Sequence, residues 1–545
     1  MLLGILVVAG LFRWIGLGFG LPDAFHPDEY KIVTTVVQFG LTGDFNPHQF
    51  AYPSLYYYLL FLVYLIAYLV AYGCFGINWA QFWQIPLAYP TVFILLARLT
   101  TSLSGIATVW LLYQLGKETY GKKVGIIAAL FLSLTYLHVR DSHFGTTDVP
   151  VTLLFILALL FAVRLVNNPK FKNYLWFGIF AGLAAGMKYN AGMICIALLI
   201  SHYLVIQADK TQNNSDHNRL RLAQQKQYGR YFGIAALIAI LFFLISSPFI
   251  ILDFRNFWID FTNEARHLRL GHYGIDLGLG WIYHLQFSLY YGLGLPYLVT
   301  AILGILWAMK KRTGADYILV AQTLFYYFWI GSGKTVFVRY MMPIVPLLAL
   351  FTARFLVEII QQPFFDFVPS RPNLKRISAL VFIIGILSLS INNLVQFDML
   401  LQQQDTRTLA KEWIQSHIPL HSKIAVLDRR QGKPQIDTTQ YQVVLIGSKG
   451  GNPTWLTPEY VSHLSHDDNI GVLVVDFHPL FYSTPPAKLL EVQPGKIAAE
   501  FRPVSDDISG FGNAVFDPID AFYVPLAHFK GYLRGGPWIR IYYFS

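Results

Sequence analysis

The chain alternates between long apolar runs and short polar segments. An α-helix needs about 20 apolar residues to cross a bilayer, because it rises about 1.5 Å per residue. The first run, 1–20, has no basic segment and no clear cleavage site, so we interpret it as an uncleaved span rather than a signal peptide. Runs of sufficient length predict about eleven spans: 1–20, 91–115, 124–140, 148–166, 173–188, 190–207, 231–252, 284–309, 316–332, 338–360 and 378–396.

The run 53–73 is also long enough to cross, but the positions of the basic residues argue against it. Clusters of Lys and Arg should face the cytoplasm under the positive-inside rule. They share one side with a cytoplasmic N-terminus only if 53–73 does not cross, so we predict an interfacial or re-entrant helix within an outer loop at 21–90. The clusters are 116–123, 167–173, 209–230, 309–312 and 370–376. The outer face then also receives 140–147, the 188–190 turn, 253–283, 333–337 and the chain after 397.

The composition changes after 397. The segment "DTRTLAKEWIQSHIP" (405–419) predicts a capped amphipathic helix that stops at a proline. Short apolar runs, "SKIAVLD", "YQVVLIG" and "GVLVVD", predict buried strands, and "WIRIYYF" (538–544) predicts a last one. The predicted fold class is therefore mainly α: a polytopic transmembrane helical bundle at 1–397, followed by a soluble extracytoplasmic α/β domain at 398–545.

Composition supports a membrane protein. Of 545 residues, 55% are hydrophobic and only 13% are charged, whereas soluble domains have about 25% charged residues. The net charge of +10 does not indicate a nucleic-acid partner, because the basic residues lie in clusters between apolar runs. The two cysteines, Cys74 and Cys195, are far apart and predict neither a disulfide framework nor a thiolate metal site.

Two acidic loops are candidates for chemistry. In "AFHPDEYKIV" (24–33), His26, Asp28 and Glu29 follow the first span, and adjacent carboxylates repel unless they have a partner, a metal or solvent. An ordinary hydrated loop is the alternative. In "VRDSHFGTTDVP" (139–150), His143 and Asp148 lie at membrane depth, where ionisable groups are costly without a cavity or partner. Alternatively, Asp148 or Thr147 caps the next helix.

Candidate cations lie on the same predicted face. Lys334 and Arg339 occur in "GSGKTVFVRY" (331–340), together with Tyr340, and Lys188 occurs in "GMKYNAG" (186–192). The spacing is not that of a Walker A loop, but these cations can meet a phosphate; the alternative is snorkelling at the interface. Acids that take a hydroxyl proton and cations that stabilise a departing phosphate together predict group transfer from a lipid phosphate.

The motifs, in their order along the chain, resemble those of the GT-C membrane glycosyltransferases. The resemblance is to glycosyltransferase family 39, which includes the protein O-mannosyltransferases, and to the bacterial lipid A aminoarabinose transferases. "HPDE" resembles the first-loop signature, "YPSLYYYL" (52–59) the interfacial helix and "HFGTTDVP" the second acidic loop. "VRYMMPIVPLLAL" (338–350) resembles a late span, and "DAFYVPLAHF" (520–529) the tail of bacterial members.

The resemblance implies a polyprenyl-phosphate sugar donor and inverting transfer to an acceptor hydroxyl of a glycan, lipid or protein on the extracytoplasmic face. Asp28 matches the general base, Glu29 its acidic neighbour and Asp148 the second-loop acid. No cofactor is required, although Asp28 and Asp148 could hold a divalent cation. Lys334 and Arg339 match lipid-phosphate contacts. The further substrate-binding candidates are His26, His143, Lys188 and Tyr340.

A transporter or flippase of lipid-linked sugars is the alternative function. It would also combine many spans with charged residues inside the membrane. Transporters often show paired internal repeats, and no repeat is apparent in this chain. The candidate charges also lie at one predicted face rather than at the bilayer midplane, which favours the transferase.

Overall fold

The computed structural model describes residues 1–212, 218–272, 274–360, 372–427, 431–446, 470–480, 495–520 and 522–544. Parts of the segments 209–230, 370–376 and 520–529 lie outside these residues. The first half of the helical bundle contains α1–α9: Leu2–Trp14, Pro27–Thr42, Leu55–Phe75, Trp79–Ala88, Thr91–Tyr120, Lys122–Ser133, Tyr136–Asp141, Asp148–Asn167 and Phe171–Met187.

The second half of the bundle contains α10–α19: Cys195–Gln212, Asn218–Ser246, Phe249–Leu252, Phe254–Leu270, Gly280–Tyr283, Tyr290–Leu293, Leu295–Lys311, Gly314–Gly331, Val345–Ile360 and Pro372–Leu401. Two 3₁₀ segments, Tyr189–Ile194 and Val338–Ile344, precede α10 and α18, and a π-helical turn lies between α14 and α15. The helical part extends to Leu401, slightly beyond the predicted boundary at 397.

Among the described residues, seven helical stretches are long and apolar enough to cross a membrane. A further pair, Gly280–Leu293 and Leu295–Lys311, passes the same test together but is bent by 116°. The stretches are Leu55–Phe75, Thr91–Tyr120, Asp148–Asn167, Tyr189–Lys210, Leu222–Ser246, Val338–Ile359 and Ile377–His417. Leu55–Phe75 passes on length and hydropathy, and these do not distinguish a crossing helix from an interfacial one, so the interfacial placement of 53–73 stays a prediction.

Several of the predicted spans are interrupted, among them 284–309, which contains the 116° bend before Leu295. The run 1–20 is helical only to Trp14, and Gly16 then turns the chain with a φ of +77° against Leu401. The run 124–140 is divided into α6 and α7 at Leu134 and Thr135. The short helix α7 and the loop that follows it are buried, so this part of the chain can bring polar side chains into the interior of the bundle.

The C-terminal part has the predicted α/β character. Helix α20 (Thr406–His417) is capped by the preceding Asp405, whose side chain accepts the Arg407 N–H. The helix packs through Ala410 and Ile414 on one face of a sheet. The strands are β1–β5: Lys423–Leu427, Gln442–Ile446, Val472–Phe477, Lys496–Phe501 and Trp538–Tyr543.

The sheet has the order β2-β1-β3-β5-β4. The pairs β2–β1 and β1–β3 are parallel, whereas β3–β5 and β5–β4 are antiparallel. The four strands predicted from apolar runs are present. Strand β4 was not predicted, because this edge strand has the mixed sequence "KIAAEF" and lies largely open to solvent.

Candidate functional site

Three carboxylates surround the buried guanidinium of Arg339. Nη2 of Arg339 donates to Asp28 Oδ2 at 2.7 Å, and Nη1 donates to Asp520 Oδ1 at 2.5 Å. Nε lies 3.7 Å from Asp148 Oδ2. A buried cation needs opposite charge and hydrogen bonds to offset its desolvation, and these three groups supply both. The cluster therefore joins two predicted acids to one predicted cation.

Helix starts position the two acids. Asp28 is the second residue of α2, and Pro27, the first, has no N–H to leave unpaired. Asp148 is the first residue of α8. The positive end of a helix dipole stabilises a carboxylate there. The Asp148 side chain makes no capping hydrogen bond to the α8 backbone; it accepts Lys188 Nζ at 2.6 Å, so capping does not explain this residue.

Lys188 and Tyr52 complete the polar part of the cluster. Lys188 lies in extended backbone between α9 and the 3₁₀ segment at Tyr189–Ile194, and its Nζ is 5.0 Å from the centre of the Tyr340 ring. The Tyr52 hydroxyl donates to Asp28 Oδ2 at 3.2 Å. Burial, followed by the charge of Asp28, raises the pKa of Tyr52 well above its ordinary value. Tyr52 therefore stays protonated and acts as a donor.

A cavity of about 630 Å³ opens beside the cluster. Its polar wall contains Asp28, Tyr52, Lys188, Arg339 and Tyr340. The remaining wall is largely apolar and aromatic, and it includes Met193, Phe243, Phe261, Trp329 and Ile330. The Asp28 side chain retains 24% of its exposure. A cavity with one charged wall and one apolar wall suits a ligand that has an anionic head and a hydrocarbon chain.

Glu29 does not lie in the cavity wall. Its carboxylate is fully buried and accepts two hydrogen bonds from Arg98, at 2.8 and 2.7 Å, and one from the Gly145 N–H at 2.8 Å. Arg98 also donates to the carbonyls of Leu17 and Phe19. Glu29 thus ties α2 to α5 and to the second acidic loop, so its place in the structure is that of a supporting residue.

Three other predicted residues lie outside the cavity wall. His26 is buried between the rings of Phe144 and Phe522, and burial lowers its pKa, so it is neutral. The ring nitrogens of His143 are 2.9 Å from the carbonyl oxygens of Val139 and Ile15. Lys334 is exposed, and its backbone N–H donates to the carbonyl oxygen of Leu268. Of the predicted substrate-binding residues, the structure brings Lys188, Arg339 and Tyr340 to the cavity.

Asp520 is the residue that the sequence analysis missed. It contacts Arg339, and its Oδ2 lies 3.6 Å from Nη2 of Arg140. Nη1 of Arg140 donates to Asp141 Oδ1 at 3.0 Å. Burial opposes ionisation of Asp520, but Arg339 and other nearby cations lower its pKa. It belongs to "DAFYVPLAHF", a segment noted only for its resemblance, and no spacing within that segment indicates a contact with residue 339.

The pKa of the neighbouring Asp517 is shifted in the opposite direction. Its side chain accepts the N–H of Ile519 at 3.1 Å and faces the N–H of Val338 at 3.4 Å. Burial, and then the charge of Asp520, raise the pKa of Asp517 to about 6. The C-terminal segment therefore supplies a charged aspartate to Arg339 and a second aspartate whose ionisation is disfavoured.

The arrangement does not fit a divalent cation held by Asp28 and Asp148. The Arg339 guanidinium lies between these two carboxylates and contacts both. In the part of the chain that the structure describes, no group of three or more His, Cys, Asp and Glu side chains is arranged to hold a metal ion. A cation would have to displace Arg339, so we derive no chemical step through a metal.

Known proteins with a related fold include an oligosaccharyltransferase. The structure is similar to the oligosaccharyltransferase AglB of Archaeoglobus fulgidus, solved with an inhibitory peptide and a dolichol-phosphate, with a TM-score of 0.52 and 12% identity over 87% of this chain and 69% of that one. The apo form of the same enzyme gives the same values. This chain has the GT-C fold. The predicted GT-C bundle with its C-terminal α/β part is thereby confirmed.

Sequence comparisons agree with the GT-C fold. Residues 90–223 match the family model for dolichyl-phosphate-mannose-protein mannosyltransferases, a segment that contains Asp148 and Lys188. An uncharacterized protein of Aquifex aeolicus (strain VF5) is 24% identical over 283 residues, which are 50% of this chain and 52% of that protein. The chain thus matches about half the length of this curated relative. The match to the family model and the GT-C fold both support glycosyl transfer in a membrane.

Proposed function

We propose that this protein is an integral-membrane inverting glycosyltransferase. It moves a sugar from a polyprenyl-phosphate donor to an acceptor hydroxyl of a glycan, lipid or protein on the extracytoplasmic face. The observation that carries the proposal is the pairing of Asp28 with Arg339, at 2.7 Å, in the charged wall of a cavity that is otherwise largely apolar. The pair combines a proton acceptor and a phosphate partner in one site.

The donor occupies the cavity with its phosphate at Arg339 and Lys188. Each cation is paired with aspartate, so an incoming phosphate competes with those carboxylates. A guanidinium can bind a phosphate through two parallel hydrogen bonds, whereas the lysine acts as a compact charge. The apolar wall receives the first part of the polyprenyl chain. The dolichol-phosphate bound to AglB supports a donor of this class.

Phosphate binding also prepares the base. Nη2 of Arg339 occupies Oδ2 of Asp28 at 2.7 Å, so this carboxylate oxygen already has a partner before the donor enters. When the donor phosphate takes over that contact, Asp28 is released while Tyr52 still holds it by one hydrogen bond. In inverting transfer the base and the leaving phosphate lie on opposite sides of the sugar ring. The Asp28–Arg339 contact therefore has to open when the donor enters.

The reaction then proceeds by one displacement. Asp28 takes the proton of the acceptor hydroxyl while the oxygen of that hydroxyl attacks the anomeric carbon. The bond between that carbon and the phosphate oxygen breaks, and polyprenyl phosphate leaves with the electron pair. Arg339 and Lys188 compensate the charge that develops on the leaving oxygen, a contribution that is large in a site with little water. Proton transfer to a positioned base contributes about 10²–10⁴ in rate.

Release of free polyprenyl phosphate tests the proposal. The purified full chain in lipid is given a panel of polyprenyl-phosphate sugars and an extract of candidate acceptors. We expect release from one donor class, and only when the acceptor is present. A transporter would instead move labelled lipid-linked sugar across sealed vesicles without breaking the bond. Movement without release from any donor would overturn the proposal.

A further inference from the structure

A second groove lies at the opposite end of α8 from the site described above. Helix α8 begins at Asp148 and ends at Asn167, and its 20 residues span about 30 Å. Two adjoining cavities of about 600 and 400 Å³ share the side chains of Phe161, Arg164 and Trp176. The groove therefore lies at the other predicted membrane boundary, remote from Asp28 and Arg339.

One end of the groove is polar and basic. It is lined by Arg164, Lys172 and three asparagines, with Glu118 as its acid. Arg164 is paired with Glu118 through two hydrogen bonds, at 2.8 and 2.6 Å. Among the described residues, no carboxylate lies within ion-pair distance of Lys172. The surrounding segments 116–123 and 164–173 carry six basic residues and one acidic residue, so this end attracts an anion.

The other end of the groove is apolar and aromatic. The rings of Phe161, Trp176 and Phe180 stack on one another with centroids 5.6 to 6.2 Å apart. Trp110 and Leu157 continue this wall along α5 and α8. Trp110 and Trp176 are each 43% exposed, so both rings are accessible to a hydrocarbon chain beside the basic end. Tryptophan is typical of the membrane interface.

We propose that this groove is a binding site for an anionic phospholipid of the bilayer. The phosphate head lies at Lys172, next to the Arg164–Glu118 pair, and an acyl chain follows the stacked rings of the apolar end. Basic pockets between membrane helices on the cytoplasmic side bind anionic headgroups in this way. The site is separate from the donor cavity, and the lipid stays chemically intact.

Charge complementarity selects this occupant over the alternatives. A zwitterionic phospholipid fits the apolar end but has no net charge to pair with Lys172. Inorganic phosphate satisfies the basic end but leaves the aromatic wall uncovered. Only a lipid with a net negative head uses both ends of the groove. Each basic residue near a membrane surface contributes about fivefold in the affinity for such a lipid.

Quenching of Trp176 fluorescence by brominated lipid tests the proposal. The full chain and its Trp176→Phe variant are placed in nanodiscs that contain brominated phosphatidylglycerol or brominated phosphatidylcholine at equal, low mole fraction. The difference between the two proteins isolates Trp176 from the other tryptophans. We expect phosphatidylglycerol to quench the Trp176 signal at about one-fifth of the mole fraction that phosphatidylcholine requires.

Variants at Lys172 decide whether the groove is responsible. Lys172→Gln should remove most of the preference for phosphatidylglycerol, and Lys172→Arg should retain it. Lys310→Gln is the matched control, because Lys310 also lies beside a tryptophan, Trp307, but outside the groove. Equal quenching by both lipids, an unchanged preference in Lys172→Gln, or an equal loss in Lys310→Gln would overturn the proposal. Abolition of the preference by excess inorganic phosphate would show an anion site that does not select lipid.

Discussion

Nη1 of Arg339 donates a hydrogen bond to Oδ1 of Asp520 at 2.5 Å, although 181 positions separate the two residues in the chain. The contact joins the 3₁₀ segment that precedes α18 to the C-terminal part that contains the sheet. Asp520 also faces Arg140 of α7 at 3.6 Å. The C-terminal part therefore supplies a carboxylate to Arg339, a residue of the cavity wall, although Asp520 itself does not line the cavity.

Substitution of Asp520 should impair turnover without unfolding the protein. Asp520→Asn keeps the shape of the side chain but removes one of the three carboxylates around Arg339, whose charge Asp28 and Asp148 still offset. Displacement of the guanidinium that binds the donor phosphate costs on the order of 10²-fold in rate. We therefore expect kcat/KM to fall by up to about that factor, as measured by polyprenyl phosphate release.

Asp506→Asn is the control for Asp520→Asn. Asp506 lies in the same C-terminal part, is 96% exposed and pairs with Arg502. This variant should keep normal turnover. If Asp520→Asn also turned over normally, the contact with Arg339 would hold the C-terminal part in place and have no influence on the reaction.

Glu29→Gln should destabilise the fold. The amide oxygen of the variant side chain could still accept the Gly145 N–H, but Arg98 would keep a buried charge without its carboxylate partner. Breaking a buried ion pair on one side costs about 3–5 kcal/mol. We expect a lower melting temperature and less folded protein in detergent. Asp44→Asn, in the exposed pair with His48, should leave the melting temperature nearly unchanged, because solvent screens such a pair. A Glu29→Gln protein that is stable but inactive would place Glu29 among the catalytic residues.

The stability contributed by Asp517 should decrease as pH rises. Its pKa is raised in the folded protein from the usual 3.8 to about 6, so the folded state binds the proton more tightly than the unfolded state. The favourable contribution is fully present below about pH 4 and is lost as pH rises to about 6. The melting temperature of wild type relative to Asp517→Asn should fall across that interval and then stay constant. A relative rise would contradict the burial of Asp517.

The sequence predicted the fold class because the signals for it are local. Apolar runs of span length, the cap at Asp405 and the apolar strands all act within a few residues. The edge strand β4 was missed because its amphipathic sequence resembles that of a loop or helix. The division of 124–140 into α6 and α7 was missed because hydropathy alone does not locate a break between two buried helices.

The site was predicted less completely, because its geometry depends on contacts between distant segments. Asp28, Asp148 and Arg339 were predicted as site residues because they are ionisable and lie in short loops next to predicted spans. Glu29 looked equivalent to Asp28, but successive residues on a helix point about 100° apart, and Glu29 turns toward Arg98 instead of the cavity. Asp520 lies far along the chain, and only the tertiary fold brings it to Arg339.

Asp28→Asn tests the central claim most directly. The variant removes the base but keeps a side chain that can accept the Tyr52 hydroxyl, so donor binding should persist. Acceptor-dependent release of polyprenyl phosphate is measured for wild type, Asp28→Asn and the exposed control Asp44→Asn, with donor affinity determined in parallel. The account predicts a loss of turnover of about 10²–10⁴ in Asp28→Asn alone, with donor affinity retained or increased because Arg339 loses a competing carboxylate. Near-normal turnover in Asp28→Asn would contradict the assignment of Asp28 as the base.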